Sequence, residues 1–334
     1  MNNTAARRWL RLFWLSTVLM LAVSASLVPH LRNSAEMVRM RNALLVRAQP
    51  ADFAWTPATV PADFAIENAA PLSLYAQAVA RHGLSVAGDD WATALAIGRH
   101  LLPDGKRSGG PIQAGLAETY VRITQQREGY CGDYADSFTG LANAAGIFSR
   151  PWAFSFDGFG GYGHIFNEVW DRQHERWIMI DVFNNFYVAG ADGEPLSAMA
   201  FREALEDGRG DLRLMPVDPA AQPGFALDAR ALAYYRQGLP EWYMWWGNNV
   251  FEYDSSPIVV ALGKVHRAFE QLGGVAAGVY PQIRILEAPE NAAQRNALRW
   301  LQLRLVASAV LGALSVLCLA GWLLARRRKV RGVR

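Results

Sequence analysis

Three residues that could act together on a carbonyl group, Cys131, His164 and Asp181, follow one another along one stretch of the chain. An ionised cysteine sulfur is a nucleophile, and an imidazole can take its proton and return it. A carboxylate then fixes the imidazole tautomer and stabilises its charged form. A free thiol titrates near about pH 8.5; the positive end of a helix dipole and a neighbouring imidazolium both lower that value. Backbone N–H groups at a helix start can also receive an oxyanion. Such a trio would perform covalent catalysis at an acyl carbon through a thioester.

Each member falls at the edge of a recognisable element. Cys131 opens a run in which Tyr134, Phe138, Leu141, Ala142 and Ala145 recur at helical spacing, and Gly146 is placed to close it as a left-handed cap. After a Gly-rich turn, His164 begins the strand pattern HIFNEVW, and Asp181 lies near the end of a second one, RWIMIDVF. The polar DRQHE between them marks a hairpin. A two-residue turn at Arg172 and Gln173 sets His164 directly opposite Asp181, with Cβ atoms roughly 4.5–5.5 Å apart on one face.

The motifs G-x-C-x-x-Y-A (Gly129, Cys131, Tyr134, Ala135), G-I-x-x-R (Gly146, Ile147, Arg150), H-x-x-N-E-V-W (His164, Asn167, Glu168, Val169, Trp170) and W-x-x-x-D (Trp177, Asp181) resemble the transglutaminase-like superfamily. The order Cys, His, Asp is also that of the family. The resemblance covers about Asp90 to Asn185. It implies an α+β, papain-like fold, with the nucleophile on a helix packed against an antiparallel sheet that carries the other two residues. Asp181 is followed by Val182 and Phe183 where the family frequently has Pro. The superfamily contains cross-linking enzymes, proteases, amidases and inactive members. The resemblance therefore implies a cysteine-dependent acyltransferase, amidase or protease, or else an inactive scaffold that binds an envelope polymer or partner protein.

Cysteine usage favours a free nucleophile. Only Cys131 and Cys318 are present, and Cys318 lies inside an apolar segment, so no disulfide between them is expected. A lone cysteine is otherwise most simply a small buried hydrophobe. The six histidines form no metal-ligand cluster with the cysteines, so neither a zinc site nor any cofactor is expected. Arg150 and Glu168 read as a structural ion pair, and Tyr130 and Tyr134 as packing. Gln125, Gln126 and Trp91 are candidates for a second oxyanion donor, and the sequence does not choose among them.

Charge and hydropathy set the topology. Residues 12–29 carry no charge and suffice for one spanning helix; a cleaved signal peptide is the rival reading, with Ser24-Ala25-Ser26 as its site. Residues 305–325 form a second uncharged run, followed by the basic RRRKVRGVR. The tails, 1–11 and 326–334, hold three and six of the 33 Lys and Arg. That leaves 24 basic against 30 acidic residues elsewhere, so the basic excess speaks of orientation rather than of nucleic acid. Both termini are expected in the cytoplasm and the main domain in the periplasm, the chain being held in the inner membrane.

Between the spans, 30–89 reads as a helical and extended lead-in, 90–185 as the core and 186–304 as a C-terminal extension. Helices are predicted at 34–47, 73–82 and 89–102, the last capped by Asp89 or Asp90 with Trp91, Ala92, Leu95 and Ala96 buried. Further helices are expected at 196–205, 227–237 and 257–272. The aromatic run LPEWYMWWGNNVFEYDSS reads as packing against the core or a seat at the bilayer interface, rather than as a groove for sugar rings or peptide side chains. Superfamily members with such tethers accompany envelope and exopolysaccharide functions. The resemblance thus implies a peptide or amide-bearing envelope substrate and envelope or polysaccharide-export partners.

Overall fold

The computed structural model describes residues 3–47, 49–102, 105 and 109–331. The end of the basic tail lies outside them. In chain order the first helices are α1 (Asn3–Ala25), α2 (Ser34–Leu45), α3 (Ser73–His82), α4 (Asp90–Leu101), α5 (Leu116–Val121) and α6 (Cys131–Ala145). Strands β1 (Ser149–Ser155), β2 (Gly163–Asp171), β3 (Arg176–Ile180) and β4 (Tyr187–Ala189) follow, then α7 (Ala198–Glu206), β5 (Arg213–Met215) and α8 (Asp228–Gly238). The chain continues through β6 (Trp242–Trp246), α9 (Val250–Ser255), α10 (Pro257–Gly263), α11 (Arg267–Ala277), β7 (Gln282–Ile285) and α12 (Ala292–Arg331). This is the expected mixture of helices and antiparallel sheet.

The chain divides into two compact units. One holds α1, nearly all of α2, Gly158–Gly161 and α12. Two helices in it are long and apolar enough to cross a membrane, over Thr4–Ala25 and Pro289–Arg327. The first ends earlier than the expected Pro29, because Val28–Leu31 winds into a separate 3₁₀ turn around that proline. They pair through small and hydroxylated residues: Ser24 Oγ lies 2.6 Å from Ser308 Oγ, Ser315 Oγ donates to Ser16 Oγ at 2.9 Å, and a Cβ on Gly321 would strike the Trp9 indole. Close backbone approach of this kind is how apolar helices associate in lipid. In the same unit Asn42 Nδ2 donates to the Phe159 carbonyl at 2.8 Å.

The other unit, Leu45–Asp157 with Tyr162–Asn291, is built on a five-stranded antiparallel sheet of order β3-β2-β1-β6-β7. Two of these strands come from beyond residue 185, so this compact unit is wider than the expected core 90–185. The cause is long-range pairing: β6 bonds to β1, with Trp152 opposite Met244 and Phe154 opposite Trp242. Alternation along the strands buries both faces. One face, with Val169 and Ile180, packs on α3, α4, α5 and α6 through Tyr75, Ile97, Tyr120, Phe138 and Leu141. The other carries Trp152, Phe154, Phe166, Trp177, Met179, Trp242, Met244 and Trp246 against α7 and α8. The aromatic run is therefore a buried strand and not a groove.

Several local expectations need correction. On α4 the buried side is Asp90, Thr93, Ala94, Ile97, Gly98 and Leu101, and Trp91 and Leu95 are only half-buried. The face turns because its polar members have partners: Arg172 grips Asp90, and Thr93 Oγ1 accepts from Val86 N at 2.9 Å. The helix expected over 257–272 is two helices, broken where the His266 side chain caps α11 by accepting from Ala268 N. The bounds predicted for the helix at 73–82, by contrast, are those found.

Candidate active site

The site forms at the end of the sheet where β2 begins and β3 has just ended. A Cβ on Gly132 would lie 3.7 Å from Ile165, while Asn167 Nδ2 donates to Thr139 Oγ1 at 2.9 Å and to Ala135 O at 3.3 Å. These contacts make α6 run alongside β2 in the same direction. Its N-terminus therefore arrives beside His164, the second residue of β2. Two glycines permit this. Gly129 turns into the helix at φ 109°, a conformation that favours glycine, and Gly163 approaches so closely that a Cβ would sit 2.0 Å from the Phe154 carbonyl oxygen.

Cys131 is the first residue of α6 and is half-exposed. Asp133, two residues on, accepts from the backbone N–H of Tyr130 at 2.7 Å and of Ile112 at 3.2 Å, which fixes the entry into the helix. The first-turn amides have no carbonyl four residues earlier to bond, so they face outward as donors. Gly146 closes the helix at φ 77°, as the sequence predicts.

His164 and Asp181 are buried, and His164 Nε2 lies 2.7 Å from Asp181 Oδ2. They are not directly opposite, as a two-residue turn requires. The hairpin turns over four residues: Asp171 pairs with Arg176, and Asn167 with Ile180. Asp171 stabilises the wider turn by accepting from Gln173 N at 3.1 Å and pairing with His174 at 2.6 Å, and Glu175 adopts φ 50°. The register is thus offset by two residues, placing Asp181 across from Phe166 and diagonal to His164. An offset of one would have sent Asp181 to the other face; an offset of two keeps both side chains together.

Asp181 accepts from four donors. Besides His164, Tyr235 OH donates to Oδ2 at 2.5 Å, Asn184 Nδ2 to Oδ2 at 2.7 Å and Asn184 N to Oδ1 at 3.1 Å. Burial opposes ionisation of this carboxyl, but the His164 charge and these hydrogen bonds outweigh it and hold the group below its usual range. Burial would likewise depress His164; the Asp181 charge first, then the nearby Cys131 sulfur, raise it to about 10. With Nε2 occupied by Asp181, Nδ1 is the ring nitrogen left for the thiol. Aromatic rings box the imidazole: Phe154, Tyr234 and Tyr235 have centroids 5.7, 5.9 and 5.8 Å away.

The three predicted residues therefore converge, and Asn184 and Tyr235 join them. Asn184, three residues past Asp181, was detectable as a turn-former beside an expected carboxylate; Tyr235, on α8, left no local signal. Of the suggested oxyanion donors, Trp91 packs edge-on against Tyr187 at 5.1 Å, and Gln125 and Gln126 lie exposed on a π-turn. Arg150 and Glu168 form the expected structural pair. Arg150 Nε donates to Glu168 Oε2 at 2.7 Å, Trp152 Nε1 to the same oxygen at 2.8 Å and Ala198 N to Oε1 at 2.7 Å. Among the described residues no group of His, Cys, Asp and Glu could hold a metal ion.

Residues 110–182 match the family model of the transglutaminase-like superfamily. Nothing among curated proteins or among solved structures matches the chain.

Proposed function

Taking the transglutaminase-like core over 110–182 as premise, we propose that the chain is a cysteine enzyme acting on a carboxamide or peptide carbonyl through a thioester. The observation that carries this reading is the half-exposed Cys131 sulfur at a helix N-terminus, close enough to act electrostatically on an imidazole that Asp181 holds from behind. In the first step Sγ bonds to the carbonyl carbon while the proton it shares with the imidazole rests on His164 Nδ1. The C=O electron pair moves onto oxygen, where the first-turn amides of α6 can receive it. Collapse of this intermediate breaks the C–N bond, and the imidazolium gives its proton to the departing nitrogen. Water or an amine then attacks the thioester with His164 as base, which restores the thiol and releases an acid or a new amide.

The two apolar helices support a membrane location. Their pairing through Ser24 and Ser308, and Ser16 and Ser315, supports retention of the first rather than its cleavage. The basic flanks favour cytoplasmic ends and a periplasmic main domain, tethered to the inner membrane. A peptide or amide-bearing component of the envelope is then the substrate class within reach, with envelope or polysaccharide-export proteins as partners.

The test is to trap the acyl-enzyme. Incubation of the purified chain with envelope extract should leave an acyl mass adduct on Cys131 that hydroxylamine removes and that Cys131→Ala lacks. A sulfur that iodoacetamide alkylates no faster than free cysteine at neutral pH, in a chain whose function survives Cys131→Ala, would mark the domain as a binding scaffold and sink the enzymatic reading.

A further inference from the structure

We propose that Tyr235 is a positioning residue for the Cys131–His164–Asp181 trio, its hydroxyl locking the Asp181 carboxylate from a helix outside the matched family core. The inference rests on the cysteine-enzyme reading above. Its basis is the crowding of one oxygen. His164 Nε2, Asn184 Nδ2 and Tyr235 OH all reach Asp181 Oδ2, at 2.7, 2.7 and 2.5 Å, while Oδ1 accepts from Asn184 N. A carboxylate offers about four lone-pair positions in all, so this one is saturated. It cannot rotate to release His164 without leaving at least one buried donor unpaired.

Tyr235 is itself held. Its ring is fully buried and packs on Phe154, Phe201 and Phe186, with centroids 5.0, 5.2 and 5.7 Å away. A buried phenol has to place its hydroxyl on a partner, and here the partner is Asp181. Burial, reinforced by the carboxylate, keeps the phenol protonated far into base, so it remains a donor wherever the trio could work. The other ionisable groups facing the pair are Cys131 from α6, His164 from β2 and Tyr234 from α8, and burial keeps Tyr234 protonated as well.

The experiment uses the full chain in detergent on a Cys318→Ala background, so that iodoacetamide reports Cys131 alone. The alkylation rate is followed against pH. The acid limb of the parent chain is the reference. Tyr235→Phe keeps the ring and removes the hydroxyl. Asp181 then takes a proton at higher pH, and while ionised its charge is less neutralised beside the sulfur. Both effects move the acid limb upward, by about one pH unit, or roughly tenfold in rate at a fixed pH on that limb. If Tyr235→Phe does not fold, 3-fluorotyrosine at position 235, a stronger donor of nearly the same shape, should move the limb downward. A packing role alone would alter the melting temperature and leave the limb where it was. A folded variant whose limb superimposes on that of the parent overturns the proposal and leaves the enzyme reading standing. A parent chain whose Cys131 iodoacetamide alkylates no faster than free cysteine at neutral pH overturns that reading, and the proposal with it.

Discussion

Two buried charge clusters share the aromatic face of the same strands, and they are built alike up to a point. Arg150 with Glu168, and His164 with Asp181, have side chains no more than 3% exposed, and each carboxylate is satisfied by several donors. The first is closed on all sides. Its guanidinium lies over Trp177 at 3.7 Å and Trp55 at 4.7 Å and carries a fixed charge, since arginine does not titrate in the working range. The second contains a group that can give up a proton, and through it reaches a half-exposed sulfur. Burial and complete hydrogen bonding are common to both, so neither marks a site. A titrating member with an outlet to the surface does.

The comparison breaks most visibly at the sulfur. Cys131→Ala should abolish acylation, a loss of roughly 10⁶ for a nucleophile acting in a triad, while a half-exposed side chain leaves the thermal melt within about 1 kcal/mol of the parent. Asp181→Asn should lower the acylation rate by about 10⁴, the scale seen when a triad histidine loses its orienting carboxylate. Arg150→Met belongs to the other cluster and should do the reverse. It strands Glu168 in the interior and costs about 3–5 kcal/mol in chemical denaturation, with the intrinsic reactivity of Cys131 retained in the folded fraction.

A pH series sharpens the contrast. The raised His164 contributes stability that is fully present below its ordinary value of 6.5 and is lost as pH rises toward about 10. The lowered Asp181 contributes above its ordinary value of 3.8 and loses that contribution as pH falls beneath it. The stability difference between the parent and Asp181→Asn should therefore be largest between those two ordinary values and shrink by pH 9.5. Melts of the parent and Asp181→Asn at pH 5.5 and 9.5 decide it; a difference that stays constant between them would erase the role assigned to the pair. The smallest effect is expected outside both clusters: Arg176→Ala, which removes an exposed partner of Glu194, should cost at most about 1 kcal/mol.

What the sequence disclosed was local, and what it hid was long-range. The α6 helix, its nucleophile at the first position and its Gly146 cap follow from spacing and backbone preference within one run of residues. The trio was legible because strand parity survives a register error of two, although the turn was misjudged: Asp171 folds its side chain back on Gln173 and His174, which residue types alone do not reveal. On α4 the buried face was misassigned because Asp90 and Thr93 look solvent-facing until Arg172 and Val86 are seen beside them. Strands β6 and β7 joined the sheet from far along the chain, and Tyr235 reached Asp181 from a helix 54 residues away, where no periodicity could point to it.

The length of α12 has a mechanical corollary. At about 1.5 Å per residue its 40 residues extend roughly 60 Å, about twice the hydrocarbon thickness of a bilayer. A bilayer that takes up its apolar half would leave the other half outside, with the water boundary inside an unbroken rod rather than at a joint. With no proline along its length to act as a hinge, any lean imposed on the apolar half by a thinner or thicker membrane is delivered to the opposite end as a lever delivers it.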